Sequence, residues 1–246
     1  MNQRELFVQK TFDRIAQRYD LLNRVISFHL DTAWRNRALA ELGVAGSAAR
    51  ILDLGTGTGD LALAAAKTGA KIVGLDLSKE MVRRARAKTA RAGLEEKISY
   101  VIANALVPPF KSESFDGIIT AFVLRNVSDL ELFFASAHAL LKPEARFVSL
   151  EMFPPRTYLF SFFYSLYFYR LVPWIGAGLA RNHEAYRYLA DSVRGFCSPA
   201  AVSEALERAG FVGVRLQRYL CGAVCLHSAV KPATRSEVAR DAALRA

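Results

Sequence analysis

The chain has 246 residues, 52% of them hydrophobic, which is enough for one large domain with a substantial core and excludes a mainly disordered protein. Its 33 Lys and Arg residues outnumber its 23 Asp and Glu residues, and the formal net charge of +10 suits nucleic acid, an anionic membrane or an anionic cofactor equally well. The three cysteines lie late in the chain, so their odd number and position argue against a disulfide framework and favour a reducing compartment.

The N-terminal stretch MNQRELFVQKTFDRIAQRYD shows no targeting signal. It lacks the apolar core of a secretory signal, and its Glu5 and Asp13 are unlike an acid-poor transit peptide. We therefore expect a cytoplasmic protein in which residues 1–46 form an N-terminal helical cap.

From residue 50 onward, short apolar runs alternate with segments of helical periodicity, which is typical of β-α-β units in a parallel sheet. The predicted strands are 50–55, 71–78, 98–105, 115–123, 146–153, 211–220 and 223–232. Helices are predicted in LALAAAKTG after the first strand, over 79–93 with Ser78 as N-cap and Gly93 as a stop, and over 129–143. The expected fold is therefore α/β, with a doubly wound, mostly parallel, seven-stranded sheet.

The last two predicted strands flank Cys221-Gly222 and predict a hairpin that closes the sheet. Cys221 and Cys225 have no histidines at zinc-ligand spacing, so we interpret them as two small apolar residues on a strand. The four histidines are scattered along the chain, and neither a metal site nor a catalytic triad is predicted.

Three glycines, Gly55, Gly57 and Gly59, follow the first strand directly in RILDLGTGTGDLALAAA. Glycine permits positive φ and a close approach of the backbone to a ligand, so the loop predicts a cofactor platform. A dinucleotide fingerprint would place the third glycine one residue later, and the carboxylates of Asp53 and Asp60 would repel a pyrophosphate. They suit a cofactor with an ammonium and a sulfonium group, which is S-adenosylmethionine.

Two further strand ends agree with this cofactor. Asp76 ends the second predicted strand, where an acidic side chain can accept hydrogen bonds from both ribose hydroxyls. Asn104 and Ala105 end the third, a position that can border an adenine ring. The alternative for each acid is an ordinary loop carboxylate.

At this point the chain resembles class I methyltransferases and, more narrowly, the ubiquinone/menaquinone biosynthesis C-methyltransferases, over roughly residues 7–231. The similar stretches are FDRIAQRYDLLNRVISF, LDLGTGTGD, FVLRNVSD, EAYRYLADSVRGF and GAVCLHSAVKP. The resemblance implies that the cofactor contacts Thr58, Asp76, Asn104 and Ala105. It also implies that Tyr19, Arg125 and Asn126 face the reacting ring.

The chain departs from the family pattern at three places. Ala121 stands where the family usually has serine, near the methionine end of the cofactor. Leu106 replaces a common glutamate, and Glu144-Ala145 replace two glycines at a turn. These departures bear on substrate identity more than on methyl transfer.

The implied chemistry is methylation of a quinol ring carbon, which needs the adjacent hydroxyl to ionise. A phenol has a pKa of about 10, and an arginine guanidinium stays charged, so Arg125 is expected to stabilise the phenolate or to orient a water that relays the proton. Tyr19 and Asn126 would complete the hydrogen bonds. The alternative for Arg125-Asn126 is a salt bridge and cap ahead of the predicted helix 129–143.

The segment TYLFSFFYSLYFYRLVPWIGAGLA is rich in aromatic residues, but Arg170 and Pro173 argue against a membrane span. We interpret it as part of a lid insertion over 152–196 that guides a polyprenyl tail and rests at the bilayer interface. The alternative is a core helix or a helix at a homodimer interface.

We therefore expect a single methyltransferase domain over 1–232 with a C-terminal tail over 233–246. Its expected activity is S-adenosylmethionine-dependent C-methylation of a prenylated quinol: demethylmenaquinol first, with the ubiquinone precursor 2-polyprenyl-6-methoxy-1,4-benzoquinol as a further substrate. The expected location is the cytoplasmic face of an anionic membrane. Alternatives are a methyltransferase for another lipid or a small phenol, and a non-catalytic S-adenosylmethionine-binding membrane protein. A nucleic-acid methyltransferase is not favoured, because the chain lacks an Asn/Asp-Pro-Pro-aromatic motif.

Overall fold

The structure is a computed structural model that describes residues 2–155 and 183–233, with side chains except at residue 22 and residues 183–186. In this part of the chain, seven strands form one sheet in the order β3-β2-β1-β4-β5-β7-β6. The strands are β1 (Arg50–Leu54), β2 (Lys71–Asp76), β3 (Ile98–Ile102), β4 (Phe115–Ala121), β5 (Leu141–Met152), β6 (Val212–Tyr219) and β7 (Val224–Val230). The doubly wound, mostly parallel sheet is thereby confirmed.

Strands β1 to β5 run parallel, and β7 pairs antiparallel with both β5 and β6. The central strand β1 is buried from Ile51 to Leu54, which explains its continuous apolar run. The strand order reverses between β1 and β4, so the chain leaves these two strands in opposite directions and opens a crevice at their carboxyl ends.

Helices cover both faces of the sheet. The described helices are α1 (Gln3–Ile15), α2 (Tyr19–Ile26), α3 (Leu30–Leu42), α4 (Asp60–Ala66), α5 (Lys79–Arg91), α6 (Leu130–Leu140), α7 (His183–Arg194) and α8 (Pro199–Arg208). On one face α6 and α8 bury an aromatic cluster that includes Phe133, Phe134 and Phe147. On the other face α3, α4 and α5 bury a cluster rich in alanine around Trp34.

The predicted boundaries around β5 are wrong. The helix predicted over 129–143 ends at Leu140, and β5 begins at Leu141 rather than 146. Pro143 disfavours helical geometry at the residue before it, and Leu141 pairs with Phe115 across a bulge. Glu144, which stands where the family has glycine, keeps a left-handed φ of 61° while its N–H donates to the Lys231 carbonyl.

The hairpin between β6 and β7 is confirmed, but one cysteine lies outside it. Cys225 is buried on β7, whereas Cys221 is exposed in a 3₁₀ turn, Leu220–Gly222, with a φ of 53°. The interpretation of both cysteines as strand residues is therefore wrong for Cys221, because the chain reverses direction at that residue.

Ser78 caps α5 as predicted, since its hydroxyl oxygen accepts a hydrogen bond of 3.1 Å from the Met81 N–H. The same hydroxyl donates to Asp13 of α1 at 2.5 Å. The cap of α5 thus also fastens the N-terminal helix to the carboxyl edge of the sheet.

Several sequence-based expectations lie outside the described residues. The aromatic segment and most of the expected lid over 152–196 belong to residues 156–182, and nearly all of the expected tail belongs to residues 234–246. The homodimer alternative for the aromatic segment falls there as well. None of the helices that the structure does describe combines the length and hydropathy needed to traverse a bilayer.

Candidate active site

The three loop glycines serve different purposes. A Cβ on Gly55 would lie 2.3 Å from Val123 Cγ2, and one on Gly59 would lie 2.7 Å from the Tyr100 hydroxyl, so both glycines are required by packing within the protein. At Gly57, with a φ of 55°, the Tyr19 ring is the only group of the described residues within 4 Å of that position. Close approach of a ligand therefore explains the glycine at Gly57, whereas packing within the protein explains Gly55 and Gly59.

Asp76 at the end of β2 is held by the glycine loop. Its two carboxylate oxygens accept hydrogen bonds of 2.8 Å from the N–H groups of Gly57 and Ser78. Burial raises the pKa of Asp76, and these backbone donors oppose the rise. Each oxygen keeps a lone pair for a further donor, so the carboxylate is oriented and able to receive ribose hydroxyls.

A cavity of about 110 Å³, here the loop cavity, runs from Gly57 along Asp76 to the predicted adenine position. Asn104 and Ala105 line it two and three residues beyond the end of β3. Leu106 also lines it, and this residue is buried in the core, so the replacement of a common glutamate by leucine is matched by an apolar environment. Glu5 and Phe12 close the cavity from α1.

A smaller cavity of about 30 Å³, here the polar cavity, lies on the other side of Gly57. Asp53, Arg35 and Ala121 line it together with the loop. Burial raises the pKa of Asp53 to about 7, although the Thr56 hydroxyl donates to its carboxylate at 2.6 Å. The polar cavity therefore presents an acid that ionises near neutrality and a cation.

The second predicted loop carboxylate, Asp60, is not free. It forms an ion pair with Lys88 of α5, and Lys88 also contacts Asp20 of α2 at 2.9 Å. The hydroxyl of Thr58, predicted to touch the cofactor, donates to Asp20. Asp60 and Thr58 thus fasten α2 to the loop, and Asp53 is the acid left to attract a cationic ligand group.

A third cavity, of about 330 Å³, is here called the apolar cavity. Most of its lining is apolar and comes from α2, α3 and the turn before β7: Ile26, Phe28, Leu30, Trp34, Leu220, Ala223 and Val224. Its polar lining includes Tyr19, Asn23, Asp31, Arg35 and Arg125. An apolar chamber with a few polar groups is suited to a largely hydrophobic molecule that has a polar head.

Tyr19 lines all three cavities. Its ring lies against Gly57, and burial raises the pKa of its phenol, so the hydroxyl keeps its proton at neutral pH. The loop, polar and apolar cavities therefore meet at one side chain that can donate a hydrogen bond.

Arg125 is 4% exposed, in the 3₁₀ turn Leu124–Asn126, and it lines the apolar cavity. Its Nη1 forms an ion pair with Glu151 of β5, and its backbone N–H donates to the same carboxylate at 3.3 Å. The structural alternative for Arg125-Asn126 is therefore confirmed for the salt bridge, although the partner Glu151 lies on β5. It is wrong for the cap, because Asp129 caps α6 with a 2.9 Å hydrogen bond from Leu132.

Asn126 faces the loop cavity rather than the apolar cavity. Its amide oxygen accepts a hydrogen bond of 3.1 Å from the Tyr188 hydroxyl of α7, and its amide nitrogen donates to the Phe122 carbonyl at 3.4 Å. In this arrangement Asn126 links α7 to the cofactor side of the site, and its role toward the reacting ring stays a prediction.

Phe122 separates the loop cavity from the apolar cavity and has a φ of 62°. A left-handed conformation is costly for a residue with a bulky side chain. Here it turns the chain sharply after β4, while the Phe122 N–H still donates to the Leu150 carbonyl at 2.7 Å. The residue with this costly conformation thus lines both cavities.

Sequence reasoning missed Arg35, Asp31 and Glu151. Glu151 had a detectable signal, since a glutamate within the apolar strand segment RFVSLEMF requires a buried partner. Arg35 and Asp31 are four residues apart on α3, a spacing common in exposed helical ion pairs, so the sequence does not distinguish them as buried.

The donor set fits the predicted methyl donor. Asp76 is positioned for a ribose, Gly57 allows close approach, and the polar cavity carries both signs of charge for an amino-acid tail. Among the described residues, no three His, Cys, Asp or Glu side chains come together in a way that could hold a metal ion.

Comparisons with known proteins agree with this site. The model of the ubiE/COQ5 methyltransferase family matches residues 1–231. The chain is 40% identical to the demethylmenaquinone methyltransferase of Thermus thermophilus, over 90% of this chain and 100% of that protein. It is 42% identical to the ubiquinone/menaquinone biosynthesis C-methyltransferase UbiE of Syntrophotalea carbinolica, over 88% of this chain and 91% of that protein.

A solved structure shares the fold. Phosphoethanolamine N-methyltransferase 2 of Haemonchus contortus, in complex with S-adenosyl-L-methionine, superimposes with a TM-score of 0.63 at 16% identity. The match covers 81% of this chain and 52% of that one. At this identity the likeness concerns the fold alone, whereas the family match extends over nearly the whole sequence. The chain belongs to the ubiE/COQ5 methyltransferase family and is an S-adenosylmethionine-dependent C-methyltransferase of quinone biosynthesis.

Proposed function

We propose that the protein methylates a ring carbon of a prenylated quinol, with demethylmenaquinol as its first substrate and the demethylated ubiquinone precursor as a second. The observation that carries the proposal is the meeting of the three cavities at Tyr19. A donor along the loop and polar cavities and a quinol in the apolar cavity would have their reacting atoms on either side of this residue.

The apolar cavity supports a quinol with an isoprenoid tail. Trp34, Met152 and Val224 offer apolar surface for a flat ring and its first isoprene units. Tyr19, Asn23 and Arg125 supply polar groups for the ring hydroxyls. Among the described residues that line this cavity, Asp31 is the acid, and it is already paired with Arg35.

Bound S-adenosylmethionine supplies a methyl group already activated by the sulfonium. The protein must raise the electron density at the ring carbon and hold that carbon in line with the methyl. The Arg125 guanidinium stays charged and stabilises a phenolate that forms on the neighbouring hydroxyl. The Tyr19 hydroxyl keeps its own proton because burial raises the pKa of its phenol, and it donates a second hydrogen bond to the same oxygen.

The proton released by the quinol hydroxyl is expected to leave through water. Arg125 cannot accept it, and Asp31 is engaged by both Arg35 and the Ser27 hydroxyl. Phe122 and Tyr19 line both cavities, and with both ligands bound they would exclude bulk water from the boundary and protect the donor from hydrolysis.

We also propose that the protein works at the cytoplasmic surface of an anionic membrane. A prenylated quinol is confined to the bilayer, and three residues that line the apolar cavity are themselves exposed: Phe28 at 69%, Leu220 at 43% and Leu30 at 40%. These three residues are here called the apolar rim. With a net charge of +10, the protein would bind anionic lipid reversibly, because each nearby cationic side chain adds about 1 kcal/mol.

A substrate panel tests the proposed function. Reduced demethylmenaquinone, the reduced ubiquinone precursor, a short-tailed analogue and a simple phenol are incubated side by side with labelled donor. We expect turnover on both prenylated quinols, weaker turnover on the short-tailed analogue and none on the simple phenol. Preference for the simple phenol would favour the alternative of a small phenolic substrate, and no turnover on any of them would contradict the proposal.

Vesicle co-sedimentation tests the location. We expect the protein to pellet with anionic vesicles at low salt, and Phe28→Ser combined with Leu220→Ser to weaken binding. The matched control changes two exposed apolar residues outside the three cavities, Val212→Ser and Leu132→Ser. Equal binding by both double variants would contradict a contribution of the apolar rim to membrane binding.

A further inference from the structure

Arg35 lies on α3 at the boundary between the polar cavity and the apolar cavity, and it lines both. It is 9% exposed. Asp31 balances the charge of this buried cation, and the methylation chemistry described above does not use the other N–H groups of the guanidinium. We propose that Arg35 binds the carboxylate of the methionine portion of the methyl donor, and that Asp31 positions the guanidinium for this contact.

The guanidinium is held in place by two neighbours. One terminal nitrogen is paired with Asp31 Oδ2, and Asp31 Oδ1 in turn accepts a hydrogen bond of 2.9 Å from the Ser27 hydroxyl. The Arg35 Cζ atom lies 5.6 Å from the centroid of the Phe122 ring. A guanidinium fixed on one edge and one face presents its remaining N–H groups in a set direction, as bidentate recognition of a carboxylate requires.

The charges in the polar cavity are arranged for an amino-acid zwitterion. Among the described residues that line this cavity, Arg35 is the cation. Asp60 is engaged in an ion pair with Lys88, whereas Asp53 has no ion pair among the described residues, so Asp53 is the acid we assign to the ammonium group. The polar cavity, with a volume of about 30 Å³, thus presents one cation and one acid, which suits the two opposite charges of an amino-acid head.

The order of the cavities along the loop gives the direction of the donor. Gly55 and Gly57 line both the loop cavity and the polar cavity. A donor whose ribose is held at Asp76 therefore passes over Gly57 and ends its amino-acid tail between Asp53 and Arg35. The quinol is charged only as the phenolate assigned to Arg125, whereas the donor carboxylate is charged throughout, so the carboxylate is the better partner for Arg35.

Calorimetry on the protein without quinol tests this assignment. S-adenosylmethionine is compared with decarboxylated S-adenosylmethionine, which keeps the adenosine, the sulfonium and the ammonium and lacks only the carboxylate. We expect the wild-type protein to bind the intact donor about 10- to 100-fold more tightly, as for one charge-assisted contact. Arg35→Met should abolish this preference and leave the affinity for the decarboxylated donor within about twofold.

Further variants separate positioning from folding. Arg35→Lys keeps the charge and loses the fork, and Asp31→Asn frees the guanidinium, so each should retain part of the preference. Arg37→Met, an exposed arginine on the same helix, is the matched control and should change neither affinity. Equal loss of affinity for both donors in Arg35→Met and Arg35→Lys would overturn the assignment, and so would an unchanged preference.

The proposal rests on the methyl donor and not on the quinol. Failure of the substrate panel would leave the calorimetric result unaffected. Conversely, if Arg35→Met still preferred the intact donor over the decarboxylated one, Arg35 would not belong to the cofactor site. The proposed function would be unaffected by that result.

Discussion

Arg125 and Glu151 form an ion pair in which the side chains are 3% and 0% exposed. Glu151 also accepts hydrogen bonds from the backbone N–H groups of Arg125 and Met152, the latter at 2.7 Å. Arg125 Nε is buried without a partner in the described structure. The carboxylate therefore fixes the guanidinium in a place where part of its donor capacity is unused.

We expect Glu151→Gln to lower both stability and turnover. Removing one partner of a buried ion pair leaves an uncompensated charge and costs on the order of 3–5 kcal/mol of unfolding free energy. Turnover should fall because Arg125 is no longer held in position, while the affinity for S-adenosylhomocysteine should stay nearly constant. Urea unfolding, steady-state kinetics and calorimetry measure the three quantities.

The exposed pair of Arg208 and Glu131 provides the control. Its side chains are 57% and 55% exposed, so Glu131→Gln should cost less than about 1 kcal/mol and leave turnover unchanged. If Glu151→Gln behaved like Glu131→Gln, the positioning role of Glu151 would be wrong.

Arg125→Lys tests the role of the guanidinium itself. Lysine keeps the positive charge but lacks the planar fork that is paired with Glu151 and would contact the substrate oxygen at the same time. We expect kcat to fall while the affinity for the donor stays the same, since Arg125 lines the apolar cavity and not the polar one. A parallel loss of donor affinity would assign Arg125 a structural role.

Asp76→Ala tests the ribose contact. Each charged hydrogen bond lost should cost about 1.5–3 kcal/mol of cofactor affinity, and the Gly57 N–H loses its acceptor as well. Calorimetry with S-adenosylhomocysteine measures the loss. Asp116→Asn, at the amino end of β4, is the control and should bind normally. Normal binding by Asp76→Ala would remove Asp76 from the cofactor site.

Asp53 should couple donor binding to pH. Because the pKa of Asp53 is raised to about 7, the free protein holds a proton between about pH 4 and pH 7 that the unfolded chain has lost. The contribution of Asp53 to the free energy of unfolding is therefore largest at low pH and is lost as the pH rises through 7. A bound ammonium group favours the carboxylate form, so donor binding near pH 6 should release a proton.

Calorimetry at pH 6 in buffers of different ionisation enthalpy detects that proton. We expect the wild-type protein to release up to one proton per donor bound and Asp53→Asn to release none, with weaker binding. Identical proton release by the two proteins would contradict the assignment of Asp53 to the ammonium group.

The sequence was sufficient to predict the sheet and the residues at the strand ends of the candidate cofactor site. The glycine loop, Asp76 and Asn104 lie at or just beyond the carboxyl ends of strands, and these ends meet at one edge of a parallel sheet, so their proximity is a consequence of strand order. The boundary of α6 was missed because helical periodicity continues through Leu141 and Lys142, and the pairing of Leu141 with Phe115 is a long-range contact.

Ion pairs between elements distant in the sequence were the main features that sequence patterns could not predict. Asp60 has the position of a ligand-binding acid, yet it is engaged in an ion pair with Lys88 on another helix. The pairing of Arg125 with Glu151 joins residues 26 positions apart through two adjacent strands. Such pairings depend on the folded arrangement and leave no local periodic signal.

Methyl transfer with an isotopically labelled donor tests the central claim most directly. The protein is incubated with S-adenosylmethionine carrying a labelled methyl group and with demethylmenaquinone in reduced and in oxidised form, and the product is examined by mass spectrometry and nuclear magnetic resonance. The account predicts that the label appears on a ring carbon of the reduced quinol and that the oxidised quinone is not methylated. Label on a quinol oxygen, or equal methylation of the oxidised quinone, would contradict it.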